Sequence, residues 1–430
     1  MRRDNSRIDR GCQRGPAILL VCKPISPPGP TTEAALAHRL APIDAEFHVL
    51  STPEGRALLA EVSAVASPGP TDHARWRQHA PAEVVHAAAR LAEARRKGRP
   101  KFALADRMWL DPIGVEQATS QAIAAHKALR LDARVVVDLC SGVGGDAIAA
   151  ARRSRVLAVD LDPAMGRRLR WNAEVHGVGG RVLAVAARAE RFAIPEGAHV
   201  HVDPDRRASG SGRARKIAGY VPDVGFLRSL MLSTRGGALK LGPASDFEAH
   251  FGGPGVEIEL VSLGGECKEA TAWYGDLAGC RRRATHLPSG ASWSDRDGPA
   301  GVSAGVGVVE GLVYDPDPSL RRAGLVDGFA AAHGLRRIAP AVDLLVGRQS
   351  VTSPLLTTFE VIEELPMDLK RLRRAVADRG IGTLEIKVRG LDARPETLRR
   401  ELRPAGGTAA TLIVFGGRGP ARAILCRRLG

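Results

Sequence analysis

The chain has 430 residues, longer than one ordinary domain, and its 44% hydrophobic content is enough to bury full cores. Its six cysteines, at 12, 22, 140, 267, 280 and 426, form no C-x-x-C pair, which argues against a disulfide scaffold or a structural zinc cluster and makes the cytoplasm the expected location. The net charge of +15 predicts an anionic partner, nucleic acid above all, while 4% aromatics argue against an extended base-stacking platform.

Residues 1–45, rich in Arg and Pro, read as a flexible N-terminal extension, and no run approaches the ~18 apolar residues of a membrane span. Residues 46–130 read as a helical module, because Leu58, Leu59, Val62 and Val65, then Val84, Val85, Ala88 and Leu91, recur at helical spacing. Ala94 to Lys101 is a basic run, readable either as a phosphate clamp or as a solvated helix end.

Residues 131–287 alternate strand and helix, with strands expected at 135–137, 156–160, 182–186, 200–203, 238–241 and 256–263. This implies an α/β fold with a mostly parallel sheet between two layers of helices, whose ligands bind beyond the carboxyl ends of the strands. The first strand, Val135-Val136-Val137-Asp138, delivers the glycine loop Leu139-Cys140-Ser141-Gly142-Val143-Gly144-Gly145-Asp146 to that position. The loop also satisfies a nicotinamide-type spacing, Gly142-x-Gly144-x-x-Ala147, but Asp138 would oppose a pyrophosphate at the helix N-terminus. A carboxylate there favours S-adenosylmethionine, which carries an ammonium and a sulfonium. Asp138, Cys140, Gly142, Gly144 and Gly145 are therefore expected to form the cofactor loop, with Cys140 a small filler. Asp160, ending the second strand, is the expected ribose ligand and Asp162 its backup, unless both cap the following helix.

The fourth strand ends in Asp203-Pro204-Asp205-Arg206-Arg207, where the chemistry is expected. Asp203 would accept a hydrogen bond from the nucleophile, Pro204 would fix the loop, and Arg206 or Arg207 would hold a phosphate. The alternative is a turn with a solvated charge pair. His199 and His201 alternate with Asp203 in a superficially metal-like pattern, but a methyl transfer from sulfonium needs no metal, and none is assigned.

These residues resemble class I S-adenosylmethionine-dependent methyltransferases, and the chain looks closest to bacterial members with a THUMP-like C-terminal domain. The resemblance runs from about His48 to the C-terminus and includes Ser262 to Glu269 and Tyr314 to Leu320. It implies a Rossmann-like sheet and RNA modification, on tRNA or rRNA. Asp203 to Arg206 occupies the position of an Asn/Asp-Pro-Pro-aromatic motif that methylates exocyclic amines, but Asp205 replaces the second proline and Arg206 the aromatic. No acid immediately follows the third strand to meet the adenine amino group, so Glu190 is the candidate there. A non-catalytic RNA-binding protein and a small-molecule methyltransferase remain as alternatives.

Residues 288–356 are expected to connect, since 289–311 are rich in Gly, Ser and Pro. From Thr357 to Gly430, 15 Lys and Arg face 9 Asp and Glu in a pattern of helix, strand, helix and hairpin, an α+β unit suited to gripping phosphates. Asp368 should cap a helix with Leu369, Leu372 and Val376 buried and Lys370, Arg371, Arg373 and Arg374 outside. In the next strand Lys387 and Arg389 should face away from the core. Lys370, Arg371, Arg374, Lys387 and Arg389 are the expected RNA contacts.

Overall fold

The computed structural model describes residues 42–205, 217–417 and 419–429. The expected extension therefore lies almost wholly outside the described residues, as do Arg206 and Arg207.

Buried Val136, Val137 and Leu139 put β1 (Val135–Leu139) inside a sheet, in parallel register with β2 (Arg155–Asp160) and β4 (His199–Val202). β3 (Val182–Ala186) adds to β2 and β5 (Gly236–Leu241) to β4, also in parallel. The alternation of strand and helix stops after one more helix, Phe247–Phe251. Gly264 and Gly265, at φ 62° and 78°, turn β6 (Val256–Leu263) straight back into β7 (Glu266–Gly275), which runs antiparallel to both β5 and β6. With β8 (Arg282–Leu287) and β9 (Ala291–Ser294) the order is β3-β2-β1-β4-β5-β7-β6-β8-β9.

The N-terminal residues are helical over 42–51, Pro53–Ala64, Pro70–Trp76, Ala82–Gly98, Pro112–Gln117 and Gln121–Ala128. Their apolar face closes over Val49, Val62, Val85 and Leu91. The module docks on the helix Pro163–Val175: Arg168 pairs with Glu46 at 2.8 Å, and wholly buried Asn172 bonds both Trp109 and the carbonyl of Val143 in the glycine loop.

Residues 288–356 are a built part of the molecule rather than a linker. Besides β9 they supply β10 (Leu312–Pro316), the helices Pro318–Arg322 and Val326–Ala332, β11 (Arg336–Arg337) and β12 (Leu345–Gly347). Tyr314, Leu320, Phe329 and Leu345 share one core with Val137, Leu239 and Ile258, and the glycine-rich stretch before them hides this apolar pattern. β13 (Leu356–Pro366), β14 (Ile381–Arg389), β15 (Thr408–Phe415) and β16 (Arg422–Leu429) complete a second sheet, ordered β11-β12-β10-β13-β16-β15-β14.

Helices Leu369–Asp378 and Pro395–Leu402 cover one face of that sheet through Leu372, Val376, Leu398 and Leu402. Asp368 caps the first of them, accepting from the Arg371 amide, but Leu369 is 38% exposed and Ala375 takes its place in the buried stripe. Val313, Ile338 and Leu344 pack on the opposite face against Phe359 and Ile413. Because both faces are covered, Lys387 and Arg389 do not stand free: both pair with buried Asp315, at 3.1 and 2.8 Å, as does Arg321 at 3.0 Å.

Candidate active site

A cleft of about 360 Å³ opens at the carboxyl ends of β1, β2 and β4. The chain reaches it through three left-handed residues, Cys140, Gly142 and Gly144, at φ 59°, 51° and 96°. Asp138, Cys140, Gly142, Gly145, Asp160, Asp162, Glu190, Asp203, Pro204 and Asp205 all line it, so nearly all the expected site residues converge.

Their contacts divide them. Asp160 ties the glycine loop to β2, accepting from the Gly142 amide at 2.8 Å and the Asp162 amide at 2.9 Å. Burial raises its pKa, opposed by these two backbone bonds. Asp162 is a helix cap, its carboxylate accepting from Ala164. Glu190 sits at the rim with Arg188 at 3.4 Å. Gly144 does not line the cleft: a Cβ there would lie 2.9 Å from Leu169, so its role is close packing of loop on helix. The Cys140 thiol is pushed up by burial and by Asp160, consistent with an inert filler.

Asp203 is not a solvated turn residue. Its Oδ2 lies 2.6 Å from Nζ of Lys240, a side chain 6% exposed near the carboxyl end of β5. Lys240 also donates to the carbonyl of Gln117 at 3.2 Å, and Gln117 donates its amide to Asp205 Oδ1 at 3.2 Å. The helical module thus braces both carboxylates of the Asp-Pro-Asp turn.

That module also walls the cleft with Gly114, Glu116, Gln117, Ala118 and Thr119, which the sequence reading missed. A signal was present, since Asp111-Pro112 starts the helix with its carboxylate accepting from Ile113 and Gly114. The basic run is largely tied into the module itself, and its Lys101 holds the wall. Lys101 donates to the carbonyls of Val115, Glu116 and Ala118 at 2.8, 2.9 and 2.8 Å, Arg95 to Met108 and Arg96 to Val65, while Arg99 pairs with Asp106.

Beneath the glycine loop lies a buried ionic cluster drawn from five elements. Lys127 Nζ lies 2.8 Å from both Asp146 and Glu269, and 3.2 Å from His201 Nε2. His201 Nδ1 in turn lies 2.6 Å from Asp138 Oδ1. Burial works against both charges of the Lys127–Asp146 pair, but their mutual attraction outweighs it, raising the lysine and lowering the aspartate. Burial raises Asp138, opposed by His201. Asp138 Oδ2 and Ser141 Oγ border the cleft, buried and without a protein hydrogen-bond partner. His199 faces elsewhere, toward Asp276 at 3.1 Å, and no group of three potential metal ligands forms among the described residues. Nor is any described helix long and apolar enough to cross a membrane.

Comparison with known proteins agrees with this geometry. Residues 356–428 match the family described as THUMP domain-like. Over 307 residues the chain is 36% identical to an uncharacterized S-adenosylmethionine-dependent methyltransferase of Mycobacterium tuberculosis, in strains H37Rv and CDC 1551, with 70% of this chain and 82% of the relative covered. A crystal structure from Porphyromonas gingivalis W83, assigned as a methyltransferase, shares the fold at a TM-score of 0.71 over 89% of this chain and 99% of that one, with 19% identity.

Proposed function

Because the chain belongs to the S-adenosylmethionine-dependent methyltransferases, we propose that it methylates a base nitrogen of structured RNA, tRNA or rRNA. The observation that carries the reading is one cleft shared by the glycine loop and the Asp203-Pro204-Asp205 turn, in a chain whose THUMP-like unit exposes Lys370, Arg371 and Arg374 along one helix.

The residues present fit the cofactor. Asp160 stands where a ribose diol would be met, and unpartnered Asp138 Oδ2 suits a cationic amino end. When bound, S-adenosylmethionine supplies an electrophilic methyl group for in-line displacement by a nitrogen lone pair. On the acceptor side, Asp203 accepts a hydrogen bond from the acceptor N–H, and Lys240 holds that carboxylate in place. Pro204 restricts the turn, and the Gln117–Asp205 bond closes it against the wall. Transfer then relies on alignment more than on acid or base strength.

Two features support RNA as the partner. The +15 charge favours a polyanion, and the exposed face of the helix Leu369–Asp378 offers cations for phosphates. Nucleoside mass analysis after incubation of total RNA with labelled cofactor tests the reading. A methylated base absent from the Asp203→Ala reaction is expected; equal incorporation by that variant removes Asp203 from its role.

A further inference from the structure

We propose that His201 is a positioning residue of the cofactor site: fixed by Lys127 as the neutral Nδ1–H tautomer, it engages one oxygen of Asp138 and leaves the other for the cationic end of the cofactor. The inference rests on the cofactor and not on the RNA reading.

Proton accounting carries it. A lysine ammonium has three N–H donors and no lone pair. Lys127 meets three neighbours, Asp146 Oδ1 at 2.8 Å, Glu269 Oε1 at 2.8 Å and His201 Nε2 at 3.2 Å. The two carboxylates are ion-paired with it, and because an ammonium has no lone pair, its contact with the ring is a hydrogen bond only if Nε2 of His201 accepts. The ring proton then sits on Nδ1 and is donated to Asp138 Oδ1 at 2.6 Å.

The surroundings leave no slack. Lys127 and His201 are each 1% exposed and Asp138 and Glu269 2%. The groups facing the imidazole are Asp138 from β1, Asp146 from the helix after the glycine loop, and Lys127 from the helical module; Glu269 of β7 acts through Lys127. Burial lowers the pKa of His201, Asp146 and Asp138 raise it, and the net displacement is upward, but the lone pair that Lys127 requires selects the neutral ring in this arrangement.

A neutral imidazole has an electrostatic consequence. Three carboxylates, Asp138, Asp146 and Glu269, then share one ammonium, since Lys240, whose charge also reaches Asp146, is paired with Asp203; this is a shortfall of positive charge directly below the cleft. Asp138 Oδ2, buried and unpartnered, is the point at which a cation at the cleft makes up that shortfall. His201, on β4 two residues before Asp203, also links the cofactor side of the cleft to the strand that carries the acceptor side.

Two measurements test this on the full chain. Nitrogen-15 NMR of the imidazole near neutral pH is expected to show His201 protonated at Nδ1 and bare at Nε2; an imidazolium or the opposite tautomer overturns the proposal. Calorimetric titration with S-adenosylmethionine is expected to show binding weakened roughly tenfold or more in His201→Leu, since Asp138 loses its buried donor. His201→Asn, whose amide N–H stands in for Nδ1–H, should recover most of the loss. Native affinity in a His201→Leu protein with an unchanged circular dichroism spectrum sinks the proposal, and the NMR result decides by itself if that variant does not fold.

Discussion

At the scale of single residues, the proposed acceptor side of the cleft depends on a lysine with no sequence motif. Lys240→Met removes the partner of Asp203 and the donor to Gln117 together. The predicted result is a fall in kcat of up to about a hundredfold, the loss that follows a misplacement of about 1 Å near reacting atoms, with cofactor affinity retained. Steady-state kinetics beside calorimetry separate the two quantities. Gly144→Ala should act on stability instead. Its φ of 96° and the 2.9 Å approach to Leu169 predict a loss of about 1–3 kcal/mol in urea unfolding. Asp160 and the glycine loop were legible in the sequence because their spacing along the chain is itself the signal. Lys127, His201 and Lys240 were not. Lys240 is one polar residue in an apolar stretch, Lys127 follows another basic side chain, and His201 reads only as part of a metal-like alternation; the meaning of each comes from carboxylates that only the folded sheet brings to it.

Among the elements, β6 shows how buried charge joins the helical module to the sheet. Glu257 accepts from Arg130 and Arg283 and from the amides of Gly279 and Cys280. Burial alone would raise its carboxyl, but these partners hold it down to about 2. The folded pKa lies below the unfolded one, so the clamp stabilises fully above the ordinary carboxylate value of 4.5 and is lost as pH falls toward about 2. The midpoint of thermal unfolding should drop across that window, and the drop should be shallower in Glu257→Gln. A second element, the helix Leu369–Asp378, bears on the proposed RNA partner. Charge reversal of Lys370, Arg371 and Arg374 should leave the unfolding midpoint near native, since all three are exposed, while lowering the salt slope of RNA binding by about 2–3, roughly one per lost phosphate contact. Strand periodicity made β1 to β6 visible, but β7, which returns through a two-glycine turn with no helix between, was not read as a strand. Alternation in β14 was read correctly, yet its charged face meets Asp315 rather than solvent, since β10 comes from a stretch that reads as linker.

For the whole molecule, the site is assembled from parts distant in sequence: the helical module gives the cleft a wall, the parallel strands give it the glycine loop and the Asp-Pro-Asp turn, and beneath it Lys127 of the module pairs with Glu269 of β7. The THUMP-like unit shares a sheet with β10, whose Tyr314 lies in the methyltransferase core, so the two halves are joined by packing as well as by chain. A small acceptor would need the cleft alone, whereas a folded RNA makes use of both halves. The most direct test offers one preparation of the native chain, with methyl-labelled cofactor, three acceptor pools in parallel: total RNA, total protein and a small-molecule extract. Label in the RNA pool alone, lost in Asp203→Ala, is the predicted result. Label in the protein or small-molecule pool, with RNA unlabelled, would contradict the account.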